Sequence, residues 1–505
     1  MDFKNRGETL MTKQITKHFM AFFLSLLMAV SMGLTAFAEG EVSGQNTTTY
    51  KLTLTGTATG HTYEAYQIFT GDLSTKEDGT KVLSNVAWGT GVTYTGTESA
   101  ADVAKSLGDG TMKLAQLEEK LTLTTPAKTV ASAKDSTVID GLAAGYYLVK
   151  DKDGSQANTS DAYTQFIVQV VGDTEAAIKS DAPTVVKKVK DTNDSTGTTS
   201  DWQDSADADI NDDVQYQITG TMPANIADYT TYKYTFTDTM SNGLTYTAKN
   251  AHIKIGDTDV TDSFTETVTT KKDGTTVTWA CDNLKGIKDV TLNPDTKVVV
   301  TYSATLNKDA VIGAAGNPNT VNLTYSNNPN KGGEGETGKT PDDKNIVFTY
   351  KTAVNKVDQD KKSLAGAAFK LEKKTSDGTY TTVNEFTAGE ATSFEFKGLD
   401  DGDYKLTETT TPAGYNTITP IEFTISAEHD TDSADPKLTK LTGIVTKGEA
   451  TFTVEKDAGS LTTSVVNKKG STLPSTGGIG TTIFYAAGGA LVVLAGVMIA
   501  ARKRA

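Results

Sequence analysis

The seven residues Pro183–Val189 read PTVVKKV, and the side taken by their first lysine decides how the chain folds. In a strand successive side chains point to opposite faces, so Val185, Lys187 and Val189 lie together. If that is the apolar face, a lysine points into a core. The same alternation in Tyr232–Asp238, YKYTFTD, puts Tyr232, Tyr234, Phe236 and Asp238 on one side. In Asn319–Tyr325, NTVNLTY, it groups Asn319, Val321, Leu323 and Tyr325. Lys188 and Asn322 are the one-step alternatives, disfavoured because they fall on the opposite faces. A lysine, an acid and an asparagine thus converge on the expected core of one segment.

A later segment repeats the order. Lys356 lies on the face of Val354, Glu408 on that of Tyr404 and Leu406, and Asn467 on that of Leu461 and Val465. A lysine at a strand end ordinarily snorkels to solvent, but the same three residue types in the same order twice call for another account. Burying a charged lysine costs several kcal/mol unless it is paired or neutralised. In an apolar core an amine's pKa falls and a carboxyl's rises, so neutral amine and protonated acid coexist. A neutral amine is a nucleophile. The acid can donate to the asparagine carboxamide and carry protons as ammonia leaves. The product is an intramolecular Lys–Asn isopeptide bond.

Around these segments Thr, Val, Gly and Tyr recur in short alternating runs with many turns, which predicts a mainly β protein of tandem immunoglobulin-like β-sandwiches. One helical element is expected near Ala100–Lys120, where apolar residues recur at mixed three- and four-residue spacing. The chain has 505 residues and a formal net charge of −15, which argues against nucleic-acid partners. A single cysteine, Cys281, leaves no internal disulfide, and the four histidines form no zinc pattern. No cofactor is expected.

Both ends carry processing signals. Lys13 and Lys17 precede the apolar run FMAFFLSLLMAV, and TAFA ends at Ala38, the form of a secretory signal peptide. Ile479–Ala501 contains no charge and is followed by Arg502, Lys503 and Arg504, a membrane span with its basic end on the cytoplasmic side. The expected divisions are 1–38, signal peptide; 39–182, an N-terminal domain; 183–350 and 351–470, two β-sandwiches; and 471–505, a terminal signal.

Two stretches imitate ligand sites. GGEGETGKT has the spacing of a phosphate loop, but Asn-Pro-Asn precedes it, Pro341 follows it, and Glu334 and Glu336 would repel phosphate. It reads as a solvated loop. Residues 191–213 carry eight aspartates without the glycine and terminal glutamate of an EF-hand. A solvated loop is the default there, with an irregular calcium site left open.

On these residues the chain resembles the major (backbone) pilins of Gram-positive sortase-assembled pili, of the SpaH/EbpB type. YKLTETTTPAGY, Tyr404–Tyr415, is similar to the pilin E-box, and the segment around it resembles a collagen-adhesin B-type, SpaA-like domain. The preceding segment resembles the fimbrial isopeptide-formation D2 domain. The resemblance implies Glu408 and Asp238 as the bond-forming acids, with Lys356–Asn467 and Lys187–Asn319 as the crosslinks. LPSTG, Leu473, Pro474, Ser475, Thr476 and Gly477, matches the sortase motif. By that resemblance a sortase cysteine attacks the Thr476 carbonyl, and a lysine of another copy resolves the thioester. The family's Tyr-Pro-Lys motif is missing, and Lys179 in AAIKSDAP stands in its place as the candidate intersubunit lysine. The implied partners are pilin-specific and housekeeping sortases, further copies of the chain and cell-wall peptidoglycan. The implied role is a structural subunit of a wall-anchored surface pilus that catalyses nothing beyond its own crosslinks. The alternative is a monomeric wall-anchored adhesin, or a minor or tip pilin, that binds a host-surface ligand.

Overall fold

The computed structural model describes residues 48–155, 161–178, 181–470 and 479–502. The signal peptide, Lys179 and the LPSTG motif lie outside the described residues.

Three groups of paired sheets follow one another along the chain. In the first, Tyr50–Thr57 lies between Thr174–Ala177 and Asp135–Leu142. Facing these is a sheet ordered Lys81–Trp88, Thr62–Thr75, Gly145–Asp151 and Gln165–Val170. The expected helix is two, Ala100–Gly108 and Leu114–Glu118. Gly-Asp-Gly interrupts the apolar spacing, and Gly110 takes φ +76°, a left-handed conformation that ends a helix cheaply only at glycine. Ser99 caps the first helix by accepting from the Asp102 amide.

The second group is a sandwich. One sheet runs Val185–Val189, Asp213–Thr221, Lys297–Leu306, His252–Ile255. The other runs Ser205–Asp207, Asp343–Phe348, Asn317–Ser326, Tyr234–Ser241, Gly274–Cys281, Thr265–Lys271. The alternation is nearly unbroken: Val298, Val300, Tyr302, Ala304 and Leu306 face inward from one sheet, and Val321, Leu323 and Tyr325 from the other. Each large apolar side chain so buried contributes about 1.5–3 kcal/mol. The Asn319 strand is not the last of the sandwich. Asp343–Phe348 returns beside it, Asn319 facing Asn345.

The third group begins after one connecting residue, Thr349, whose hydroxyl donates to the Leu399 carbonyl. Tyr350–Asp358 and Ser460–Asn467 pair in parallel, flanked by Ser393–Leu399 and Thr453–Glu455. The opposing sheet runs Tyr380–Phe386, Ala368–Lys374, Gly402–Thr410, Ile421–His429, Leu438–Lys447. The last element is the helix Ile479–Arg502. Among the described residues no helix is long and apolar enough to cross a membrane. Over its 24 residues the helix would rise about 36 Å.

The two expected solvated loops part company. Thr337–Lys339 of the phosphate-loop imitation is a short strand paired to Thr324–Ser326, and no helix leaves it. The aspartate-rich stretch is instead packed against the third group. Asn193 donates to Asp401, Ser195 to the Lys374 carbonyl, and the Ile210 amide to Gly398. At the centre of this seam Lys373, its side chain 4% exposed, contacts Asp209 at 2.6 Å, Asp194 at 3.2 Å, and Asp400. Burial by itself lowers an amine's pKa, but the Asp400 and Asp209 carboxylates outweigh it and hold the ammonium above its ordinary range. Replacing Lys373 by Ala leaves these carboxylates facing one another without their cation. It is expected to lower stability by about 3–5 kcal/mol, read as an earlier urea or thermal transition of the purified chain.

Candidate functional site

Among the described residues three lysines are buried: Lys187, Lys356 and Lys373. Lys373 has carboxylates for company. Among the described residues Lys187 forms one ion pair, with Asp238, and Lys356 forms none.

Lys187 reaches from one sheet of the second sandwich towards the other. Its strand pairs with Asp213–Thr221, Lys187 opposite Ile218. On its other side the contact is through side chains: the Lys187 amide donates to Asp343 Oδ2 at 2.6 Å, and Asn345 Nδ2 donates to the Lys187 carbonyl at 2.9 Å. Asp238 and Asn319 sit on adjacent antiparallel strands of the facing sheet. The register Asp238↔Val321 and Met240↔Asn319 makes them diagonal neighbours on one face.

All three residues are 0% exposed. Lys187 Nζ donates to Asp238 Oδ1 at 2.5 Å and to the Tyr302 hydroxyl at 2.5 Å. Tyr302 donates to Asp238 Oδ2 at 2.6 Å and accepts from Asn319 Nδ2 at 2.8 Å. The phenol therefore joins amine, acid and amide through one oxygen. Burial, then the Asp238 charge, raise its pKa well above the ordinary value, so it stays neutral. Burial pushes the Lys187 amine down, and Asp238 only partly offsets this. Asn319 Oδ1 has no hydrogen-bond partner. The alternatives point elsewhere: Lys188 pairs with Asp204 at 2.6 Å, and Asn322 donates to Asp342 at 3.0 Å.

The third-group centre uses the same residue types in another geometry. Lys356 and Asn467 are on neighbouring parallel strands of one sheet, with Lys356 opposite Val465 and Asp358 opposite Asn467. Glu408 comes from the opposite sheet. Lys356 Nζ donates to the Val465 carbonyl at 3.0 Å and the Val357 carbonyl at 3.1 Å. Asn467 Nδ2 donates to Glu408 Oε2 at 3.0 Å and to the Asn416 carbonyl at 2.5 Å. Glu408 Oε2 also accepts from Thr411 Oγ1 at 3.2 Å and the Ile418 amide at 3.3 Å. Glu408 Oε1 and Asn467 Oδ1 are buried without partners. Burial lowers the Lys356 amine to about 8, against the pull of Glu408 and Asp358.

The first group holds no buried lysine among the described residues. Its buried ionisable pair is His61 Nδ1 and Asp151 Oδ1 at 2.8 Å, with Asp161 3.4 Å from Nε2. Cys281 is buried, and burial raises its thiol.

Tyr302 was not among the expected site residues. It belongs to the inward-facing alternation Val298, Val300, Tyr302, and a phenol there needs a buried partner, which is the signal that marks it.

Known families match along the chain. Residues 210–329 match the Gram-positive pilin backbone subunit 2, Cna-B-like domain; 351–440 match the SpaA prealbumin-like fold domain; and 465–505 match the LPXTG cell wall anchor motif. The chain is a Gram-positive backbone pilin. It is similar to the trypsin-resistant surface T6 protein of Streptococcus pyogenes serotype M6, 28% identical over 405 residues, covering 66% of the pilin and 71% of that protein. Among solved structures it resembles the T6 backbone pilin of serotype M6 Streptococcus pyogenes. That match has a TM-score of 0.52 and 20% identity, over 83% of the pilin and 98% of that chain. The major pilin SpaD of Corynebacterium diphtheriae also matches, with TM-score 0.47 and 19% identity, over 84% and 98% of the two chains. The pilin is an exported, cell-wall-anchored structural subunit of tandem pilin domains.

The lowered Lys356 pKa has a consequence for stability. In an Asn467→Ala variant the folded amine titrates near 8 against an ordinary 10.5. Between those values the unfolded chain binds more protons, so stability rises with pH across the window and is flat below it. Urea midpoints of the variant should increase from pH 7.5 to pH 9.5; an unchanged midpoint would remove the claim of a neutral buried amine.

Proposed function

We propose that this pilin is the covalent shaft unit of its pilus, joined to its neighbours by a sortase and braced internally by two isopeptide bonds, Lys187–Asn319 and Lys356–Asn467. The observation that carries the proposal is a pair of buried lysines: Lys187 is bonded to Asp238 and, through Tyr302, joined to Asn319, and Lys356 shares its core with an Asn467 that donates to Glu408.

In the second sandwich the reaction begins with a proton passing from Lys187 Nζ to Asp238 along their 2.5 Å contact. The neutral amine attacks Asn319 Cγ. Asp238, directly and through Tyr302, supplies a proton to the carboxamide, whose Oδ1 is free to accept it. Collapse of the tetrahedral intermediate breaks Cγ–Nδ2 and releases ammonia, while the proton lost by Nζ returns to the acid. Atoms balance as amine plus primary amide giving secondary amide plus ammonia. Glu408 serves Lys356 and Asn467 in the same way, with Asn416 and Thr411 holding the amide and acid in place of a tyrosine. Each acid acts once, on its own chain.

The bonds close loops of about 130 and about 110 residues, which by analogy with disulfides contributes about 4–5 kcal/mol each. In the third group the crosslink ties the first strand to the last, which are already parallel neighbours. Tension then runs along a covalent path instead of peeling the sheet. In the second it ties one sheet to the other, and the load leaves through the adjacent Asp343–Phe348 strand. A shaft needs this; an isolated wall protein gains little from it.

Polymerisation is assigned to LPSTG: cleavage after Thr476, transfer to the sortase, then attack by a lysine of the next copy, with Lys179 the candidate. Ile479–Ala501 and the basic tail hold the precursor in the membrane until that cut. A housekeeping sortase then transfers the finished fibre to peptidoglycan.

The folded exported chain is expected to weigh less than its sequence by one ammonia per crosslink, two in all. Glu408→Ala and Asp238→Ala should each restore one. An unmodified mass in folded protein would sink the crosslinks. Wall extracts should give a ladder of detergent-resistant bands, lost in Thr476→Ala and, if the candidate lysine is right, in Lys179→Ala. Peptide mapping of the ladder reads the joined lysine directly, and a single anchored species in the native strain would defeat the shaft assignment.

A further inference from the structure

The aspartate-rich stretch makes two partly buried acidic clusters at the seam between the second and third groups, one around Lys373 and one around His429. Asp194, Asp209, Asp212 and Asp400 surround Lys373. The other brings Asp191 and Asp207 from the second group against His429, at the end of the Ile421–His429 strand of the third.

Hydrogen bonds fix the state of His429. Ser205 Oγ donates its single hydrogen to the Asp430 carbonyl at 2.6 Å, so at 2.7 Å from His429 Nδ1 it accepts, and Nδ1 carries the proton. The lone pair of a neutral imidazole is then on Nε2. That atom lies 3.4 Å from Asp191 Oδ2, and the Asp191, Asp207 and His429 ligand atoms are all within 4.8 Å of one another. Asp207 is 4% exposed, and its Oδ2 has no hydrogen-bond partner. Beside it lies the buried Tyr350 hydroxyl, whose pKa burial and then Asp207 raise well above the ordinary value.

Three ligand groups facing one another are held together by a positive charge, either a second proton on the imidazole, which Asp191 and Asp207 favour against burial, or a bound cation. A second proton on the imidazole would give a charge-assisted hydrogen bond of about 2.7–2.9 Å, shorter than the 3.4 Å observed. Two ligand atoms each about 2.0–2.1 Å from a tetrahedral ion lie about 3.3–3.4 Å apart. A serine holding the far ring nitrogen is the support a metal-bound histidine ordinarily has.

We propose that Asp191, Asp207 and His429 bind a divalent transition cation of the zinc type and so staple the second group of sheets to the third. One imidazole with two carboxylates suits zinc. Calcium takes six to eight oxygens, which this set does not supply. The fourth position is open to water or to the Tyr350 phenol. The site adds a metal joint to the seam that Lys373 already braces.

The test uses the complete exported chain, stripped with chelator and dialysed with zinc chloride. Wild type should retain one zinc per chain by elemental analysis, with a raised unfolding temperature. His429→Gln and Asp207→Asn should lose the zinc. Ser205→Ala, which keeps every ligand, should weaken zinc binding by about 10- to 100-fold. X-ray absorption of the bound ion should show a single imidazole among oxygen ligands. The proposal falls if wild type keeps no zinc, if both ligand variants keep it, or if absorption shows another ligand set. It also falls if His429 Nε2 still carries a proton by NMR at pH 8 in the presence of zinc. Because the zinc readouts do not depend on the isopeptide bonds, they separate this site from the crosslinks.

Discussion

A lysine ammonium inside a β-sandwich has no water, and taking it out of water costs several kcal/mol unless something nearby neutralises or consumes the charge. Among its described residues this pilin buries three such lysines, in two kinds of surroundings. Lys373 is surrounded by carboxylates and remains a cation, so it serves as an ionic joint. At Lys187 and Lys356 burial outweighs the nearby acids, Asp238 and Asp343 for one and Glu408 and Asp358 for the other, and the amines are pushed down. How far the surrounding carboxylates offset burial decides which way each amine's pKa moves.

The two lysine–acid–asparagine centres set the same residue types in different geometries. In the second sandwich the lysine and asparagine lie on opposite sheets and a tyrosine hydroxyl joins all three groups. In the third they lie on adjacent parallel strands, and the acid crosses from the other sheet. What is common is the environment, full burial with one unsatisfied oxygen on each asparagine. The seam between the sandwiches follows the same electrostatic logic. With only Thr349 between them, their orientation is set by aspartates of one packed against basic and imidazole groups of the other.

Much of this was legible without coordinates because strand alternation has a period of two, so a charged residue in register with valines and tyrosines announces its burial. Lys187, Asp238, Asn319, Lys356, Glu408 and Asn467 were found that way. Lys373 carried the same signal, sharing a face with Phe369 and Leu371, but its partners Asp194, Asp209 and Asp400 come from distant points in the chain. The helix near residue 100 was visible as apolar spacing, whereas its break came from the backbone demand at Gly110. The aspartate-rich stretch was misjudged as solvated because composition reports polarity and not what packs on it.

The sequence by itself determined the β architecture, the order lysine, acid, asparagine in two segments, and the terminal signals, since these rest on local periodicity and on contiguous motifs. Only the tertiary structure decided which groups surround each buried nitrogen. Tyr302 as the hub, Lys373 as a clamp, and His429 against Asp191 and Asp207 each depend on strands brought together from far apart. Charge neutralisation in a core falls off over a few ångströms, and distances of that order between remote residues are fixed by how the sheets pack.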